Sequence, residues 1–251
     1  MTSKSVPVQV LFDEGQHTQA KIGFVLLATE QTIEDDMRLL LPDDVGCHFT
    51  RAPIPDSITV ESLTELGPSL GAAAKLILPD GSLDVISYAC TSGSLVLGEE
   101  QVYAQLSKGA PNTQKTCIIA SVIKALHAIE AKKIVVVTPY LDSINQMKDD
   151  YLVERGFEVL DIQGMQIEKD SDMIRVSPQF IADYAQRFDS PDADAVFISC
   201  GALRSIEVID QLEQALGKPV ITSNQATAWD TMRMAGVMDQ QLGYGQLLAL
   251  H

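Results

Sequence analysis

Apolar residues in this chain gather in short unbroken runs, with longer amphipathic stretches between them. Lys21 to Thr29 (KIGFVLLAT) is one such run, and Lys133 to Tyr140 (KIVVVTPY) is a second, 112 residues later. Unbroken runs of this length predict strands buried on both faces, as in a parallel sheet. Leu83 to Cys90 (LDVISYAC) and Ala193 to Cys200 (ADAVFISC) form another matched pair, 110 residues apart from cysteine to cysteine. Each cysteine ends its run and small residues follow: Thr91-Ser92-Gly93 in one case, Gly201-Ala202 in the other. Helical spacing comes next in both, through Leu95, Val102 and Leu106, and through Ile206, Ile209, Leu212 and Leu216, which fits a period of about 3.6 residues. Both helices then meet a glycine with proline two residues on, Gly109-Ala110-Pro111 and Gly217-Lys218-Pro219, a helix stop. A further strand is expected after each, over Thr116–Ala120 and Pro219–Thr222.

A repeat at this spacing shapes the whole fold. Helices are predicted over 34–41, over 60–78 with a break at Gly67-Pro68, over 141–155 and over 178–187, where Ser177 supplies an N-cap and Pro178 the first turn. Residues 157–160 read as a short strand. Each half is then β-α-β-α-β-α-β, and this alternation implies parallel sheets with right-handed crossovers. The expected class is α/β, with two pseudo-symmetric doubly wound parallel-sheet domains and a site in the cleft between them. The expected boundaries are a peripheral N-terminal arm over 1–20, an N-terminal domain over 21–128 carrying Cys90, and a C-terminal domain over 129–251 carrying Cys200. The last helix is placed to pack across.

Composition narrows the function classes. The 251 residues carry a net charge of −16, which argues against a nucleic-acid partner and against an anionic membrane surface. No apolar run approaches the 18 or so residues of a membrane span. Met1 to Ala20 lacks a basic segment followed by an apolar one, so no signal peptide is read and a cytoplasmic protein is expected. Cys47, Cys90, Cys117 and Cys200 form no C-x-x-C and are expected as reduced thiols. His17, His48, His127 and His251 stand apart, so no zinc set and no Cys–His dyad is indicated. No phosphate-binding glycine loop follows either leading strand, which leaves nucleotide binding without support.

The chemistry lies at the strand ends. In open parallel sheets, ligands bind beyond the carboxyl ends of the strands, where both Cys90 and Cys200 are expected. Pseudo-two-fold symmetry then sets the thiols on opposite sides of one small ligand. Each precedes a predicted helix N-terminus, which favours a thiolate near neutral pH. A thiolate base and a thiol acid on opposite faces suit proton transfer at carbon. The same pair also suits addition of one sulfur to an activated alkene with protonation by the other. A carboxylate on the ligand finds donors in Thr91 and Ser92, which otherwise serve as plain N-capping residues, and in the hydroxyl of Tyr140, otherwise a half-buried loop aromatic. Cys47 and Cys117 read as structural thiols. Glu34-Asp35-Asp36 reads as a helix start more than as a metal site. Arg51 reads as a loop residue, either lidding the cleft or lying on the surface. Asn224-Gln225 and Trp229 read as packing for the last helix or the domain junction.

Ser87-Tyr88-Ala89-Cys90-Thr91-Ser92-Gly93-Ser94, followed by Gly98-Glu99-Glu100, resembles the aspartate/glutamate racemase superfamily. So do Val137-Thr138-Pro139-Tyr140, Ser199-Cys200-Gly201 and Ser223 to Trp229. Within it the chain is similar to the branch of maleate cis–trans isomerases, arylmalonate decarboxylases and the ectoine-utilisation protein EutA, from about residue 20 onward. The resemblance implies Cys90 and Cys200 as the catalytic pair, Thr91, Ser92 and Tyr140 as carboxylate-binding positions, and Gly201 as a backbone donor. It implies no cofactor and no metal, a small carboxylate substrate, and a homo-oligomer, a dimer or tetramer. Arylmalonate decarboxylases keep only the second cysteine, so Cys90 points away from that activity. Thr29 and Glu30 align with substrate-binding positions, but maleate isomerases carry a neutral Asn where Glu30 stands. Glu30 is expected either to hold a cationic group of the substrate or to lie in a solvated loop. The first functional expectation is a cofactor-independent isomerase or racemase of a small carboxylate, maleate isomerase-like or amino-acid racemase-like, with ectoine breakdown as a setting. A decarboxylase on the same scaffold and a non-catalytic small-molecule binding protein are the alternatives.

Overall fold

A computed structural model of the chain describes residues 5–251. Strands β1 (Ala20–Leu27), β2 (Val45–Ala52), β3 (Val85–Tyr88) and β4 (Gln114–Cys117) form a parallel sheet in the order β2-β1-β3-β4. Strands β5 (Lys133–Thr138), β6 (Glu158–Gly164), β7 (Ala195–Ile198) and β8 (Val220–Thr222) form a second parallel sheet in the order β6-β5-β7-β8. The two orders are the same, so the sequence repeat is a repeat of topology. Val25 pairs with Tyr88 in the first sheet and Val137 with Ile198 in the second. Cys90 and Cys200 therefore both leave their sheets two residues beyond equivalent strand ends.

The connecting helices in the first half are α1 (Ile33–Leu40), α2 (Val60–Leu66), α3 (Leu70–Ala74), α4 (Thr91–Leu97), α5 (Glu99–Gly109) and α6 (Ile118–Ala128). In the second half they are α7 (Asp142–Glu154), α8 (Asp170–Met173), α9 (Pro178–Phe188), α10 (Ile209–Leu216), α11 (Ser223–Met234) and α12 (Gly245–Leu250). The Ser177 hydroxyl caps α9 by accepting from the Phe180 amide, as expected. Of the arm expected over 1–20, residues 1–4 lie outside the described residues. From 5 to 19 the chain forms no helix or strand, and Val6, Leu11 and Phe12 are exposed.

Four local expectations are corrected. The strand expected over Thr116–Ala120 ends at Cys117, and Ile118 opens α6. An apolar run that is buried all round reads the same in either state. The helix expected after Cys90 is two helices, broken at Gly98, whose φ of 78° ends the first. The helix expected directly after Cys200 begins at Ile209, behind a turn and a short 3-10 segment over Ile206–Val208. Arg51 lies on β2, paired with Leu26, and not on a lid loop.

The two sheets share their helices. Val122, Ile123, Ala125 and Leu126 of α6, which follows the first sheet, are buried in one cluster with Ile134, Val136, Ala195 and Phe197 of the second. In return α11, which follows the second sheet, packs on α1 and on β1, β3 and β4. Helices α6 and α11 also pack on each other, and a buried polar knot pins the contact. Asp230 of α11 accepts hydrogen bonds from the hydroxyls of Thr116 and Ser121 at 2.8 Å each, and pairs with Lys124 Nζ at 2.9 Å.

Candidate active site

A small, tightly closed cleft lies at the carboxyl ends of both sheets. The first half lines it with Leu27, Glu30, Ile58, Ala89, Cys90, Thr91 and Ser92. The second half adds Tyr140, Asp170, Met173, Cys200, Gly201 and Ala202. Seven of the eight residues expected at the site therefore line one cavity. Thr29 is the exception: its hydroxyl donates to Asp170 Oδ2 at 2.5 Å and so holds a lining residue from behind.

Each cysteine is set by its own local backbone. Cys90 is the N-cap of α4: its sulfur accepts the Gly93 amide at 3.3 Å and lies 3.6 Å from the Ser92 hydroxyl. Gly93 has to be glycine, because a Cβ there would collide with the phenol of Tyr88. Cys200 has a φ of 128°, a conformation L-residues rarely adopt and one that costs about 1–3 kcal/mol. The surroundings hold it there. Its amide donates to Ser223 Oγ at 3.0 Å, its sulfur accepts the Ala202 amide at 3.3 Å, and Asn224 Nδ2 donates to the Gly201 carbonyl at 2.8 Å. Ser223 also accepts the Thr91 hydroxyl at 3.1 Å, so one serine joins the two cysteine loops. Asn224 reaches on to Asp36 Oδ2 of α1 at 2.7 Å. Asn224, expected with Gln225 and Trp229 to pack the last helix or the domain junction, braces the Cys200 turn, while Gln225 caps α11 and holds the Tyr244 carbonyl.

Burial governs the titration of the thiols. It pushes Cys90 up to about 11 and Cys200 up to about 12. The charge of Asp170 raises both further, and Glu30 adds to Cys200. The Ser92 hydroxyl and the Gly93 amide pull Cys90 the other way without reversing the result. The expectation of a thiolate near neutral pH is thus corrected: in this closed pocket desolvation outweighs the local dipoles, and Cys200 stands before a turn and not a helix. Cys117 is buried and Cys47 half-buried, and burial lifts each to about 11. Position in the cleft, not acidity, separates the pair from the other two thiols.

Three further groups shape the cleft. Tyr140 is buried, its phenol within reach of Cys200 and Thr91. Beneath it lies Lys148 of α7, fully buried, its Nζ on the Ser199 hydroxyl and 4.4 Å from the Tyr140 ring centre. Burial pulls its pKa down to about 7. Glu30 is buried, not solvated; its Oε1 accepts the amides of Gln31, Thr32 and Ile33 at 2.9, 2.6 and 3.1 Å, a cap for α1. Asp170, which sequence reasoning missed, sits in the polar run Glu168-Lys169-Asp170-Ser171-Asp172, where nothing distinguishes it from a solvated loop. The fold brings it in. The chain after β6 meets the chain after β2, with Ile58 N on Glu168 O at 3.1 Å and Asp170 N on Asp56 O at 3.0 Å. This antiparallel contact roofs the cleft with Ile58, Asp170 and Met173. Among the described residues no group of three or more His, Cys, Asp or Glu has metal-binding geometry.

Residues 56–248 match the family model described as arylmalonate decarboxylase. The chain belongs to that family. It is 25% identical to a maleate isomerase of Pseudomonas putida over 244 residues, covering 91% of this chain and 97% of that protein. It is 31% identical to the arylmalonate decarboxylase of Bordetella bronchiseptica over 140 residues, 53% of this chain and 56% of that protein. Among solved structures, the fold matches a Nocardia farcinica maleate cis–trans isomerase mutant with a covalently bound succinylcysteine intermediate. The TM-score is 0.86 at 22% identity, covering 92% of this chain and 99% of that one. These kinships place the chain in the branch read from its cysteine motifs, and over nearly its whole length it is similar both to maleate isomerases and to arylmalonate decarboxylase.

Proposed function

We infer that the protein is a cofactor-independent isomerase or racemase of a small carboxylate, working through Cys90 and Cys200. The observation that carries this reading is the placing of two cysteines at equivalent strand ends, on opposite halves, in one small cleft. The pair supports two routes. In the first, one sulfur, as thiolate, takes a proton from carbon, so that a C–H bond breaks and an S–H bond forms, and the opposite thiol returns a proton to the other face. In the second, the thiolate adds to an alkene and the opposite thiol protonates the neighbouring carbon; after rotation that sulfur takes a proton back from the carbon and the first sulfur leaves as thiolate. Tyr140 and Ser92 supply the donors for the substrate carboxylate. The Thr91 hydroxyl is spent on Ser223, so Thr91 acts by holding Ser223 and the Cys200 turn. Decarboxylation on the same scaffold is the second reading, favoured by the family match. A cytoplasmic location, a homo-oligomeric state and a setting in ectoine breakdown belong to this proposal too. The last rests on the resemblance to EutA.

The test is proton NMR in D₂O with maleate and a panel of chiral carboxylates. Deuterium entering a carbon position, or maleate becoming fumarate, lost in both Cys90→Ser and Cys200→Ser, is the expected result. Turnover that survives in either mutant refutes two-cysteine chemistry. Release of carbon dioxide without exchange moves the assignment to the decarboxylase.

A further inference from the structure

The cleft carries more negative charge than its own residues neutralise. Glu30 and Asp170 both line it and both are buried. Glu30 commits one oxygen to three amides, and Asp170 commits one oxygen to Thr29. Neither forms an ion pair with a described lysine or arginine. The nearest guanidinium, that of Arg51, is taken by the carbonyls of Leu27 and Glu30 and by the Glu34 carboxylate. Burial raises the proton affinity of both, and the charge of Asp170 adds to it at Glu30. Two carboxylates facing one desolvated ligand repel a second carboxylate on that ligand and attract a cation.

We propose that Glu30 and Asp170 select a substrate bearing an ammonium group, so that the protein acts on an amino acid and not on a dicarboxylate. This rests on the two-cysteine reading of the cleft, whose ligand-binding character is independent of the acids. The substrate carboxylate lies toward Tyr140 and Ser92, and its ammonium lies toward Glu30 and Asp170, beneath the roof. The arrangement also ties recognition to chemistry. Burial is the main hold on both thiol protons, the charge of Asp170 adds to it at both sulfurs, and that of Glu30 adds to it at Cys200. An ammonium seated between the acids cancels that field, so the correct substrate eases deprotonation of the sulfur that attacks it. A dicarboxylate does the reverse. The overall reaction, inversion at the carbon bearing the ammonium, needs one proton removed and one returned and no oxidant.

The experiment compares L-alanine, L-2,4-diaminobutyrate and L-ornithine with maleate and methylsuccinate, by deuterium exchange and by protection of the thiols from iodoacetamide. The proteins are wild type, Glu30→Gln, Asp170→Asn and the double variant. Wild type is expected to exchange and be protected by at least one ammonium-bearing compound and by neither dicarboxylate. Each single variant should lose about 10–100-fold in kcat/KM on the amino acid, the range of a charge-assisted hydrogen bond, and the double variant should gain protection by maleate. Should the double variant fail to fold, Asp170→Asn alone carries the test, because Glu30 also caps α1. Cysteine-dependent turnover of maleate by wild type, with no amino acid exchanged, overturns the proposal and leaves the isomerase reading standing. Amino-acid turnover unchanged in the acid variants also overturns it. No exchange and no protection with any compound overturns both.

Discussion

Replacing Lys148 with methionine removes a positive charge that the fold buries without a carboxylate beside it, and the exchange should make the protein more stable below neutral pH. An unfolded lysine holds its proton up to about pH 10.5, whereas in the fold burial releases it near 7. Between those values the unfolded chain binds the extra proton, so wild-type stability rises with pH from about 7 to about 10.5. Below pH 7 the full penalty applies, on the order of 5 kcal/mol for a shift of this size. Methionine forfeits two favourable contacts. The cation over the Tyr140 ring contributes about 1–2 kcal/mol, and the hydrogen bond to Ser199 about 1 kcal/mol. The net expectation is stabilisation of about 2–3 kcal/mol at pH 6, fading by pH 9 and reversing above the unfolded value. Urea denaturation at pH 6 and pH 9 reads this directly. With a slope of about 3 kcal/mol per molar urea, the midpoint should move up by just under 1 M at pH 6. A midpoint that falls at both pH values, or a shift independent of pH, refutes the burial argument and means that Lys148 has an ionic partner in solution.

Two more expectations concern the frame around the site. Asp230→Ala leaves the Thr116 hydroxyl and Lys124 without their acceptor and Ser121 with only the Cys117 carbonyl, and it should lower stability by about 3 kcal/mol in urea; a loss under about 0.5 kcal/mol would show that the knot between α6 and α11 contributes nothing. Asn224→Ala releases the Gly201 carbonyl and Asp36, so the Cys200 turn loses its brace. It should cut kcat by about 10–100-fold while KM holds, because Asn224 does not line the cleft; a rise in KM with kcat intact would make Asn224 a binding group instead.

The parts of the fold legible in the sequence were those with a repeating local cause. Runs such as Ile134 to Val137 are buried on both faces of their sheet, so they stand out as short unbroken apolar segments, and the matched positions of Cys90 and Cys200 carried the pseudo-symmetry with them. The site followed from that symmetry as far as it is symmetric. Its asymmetric parts did not. Cys200 leaves β7 through a strained turn held by Ser223 and Asn224, which are 23 and 24 residues further on, and no local pattern announces such bonds. Asp170 is drawn in by pairing with Asp56, more than a hundred residues away. Thr29 aligns with a substrate-binding position, but its hydroxyl is taken by Asp170 and the residue does not line the cleft. The thiol acidities were misjudged for a related reason: a motif gives the dipole in front of a sulfur, whereas desolvation depends on everything packed around it.

The exchange of α6 and α11 between the sheets bears on how the chain can come apart. A fragment ending near residue 128 would carry α6 with its apolar face turned to water, and the second sheet alone would lack the same surface. The halves repeat each other in order but each covers apolar surface of the other, so neither is expected to fold alone. Unfolding should be a single cooperative event rather than two.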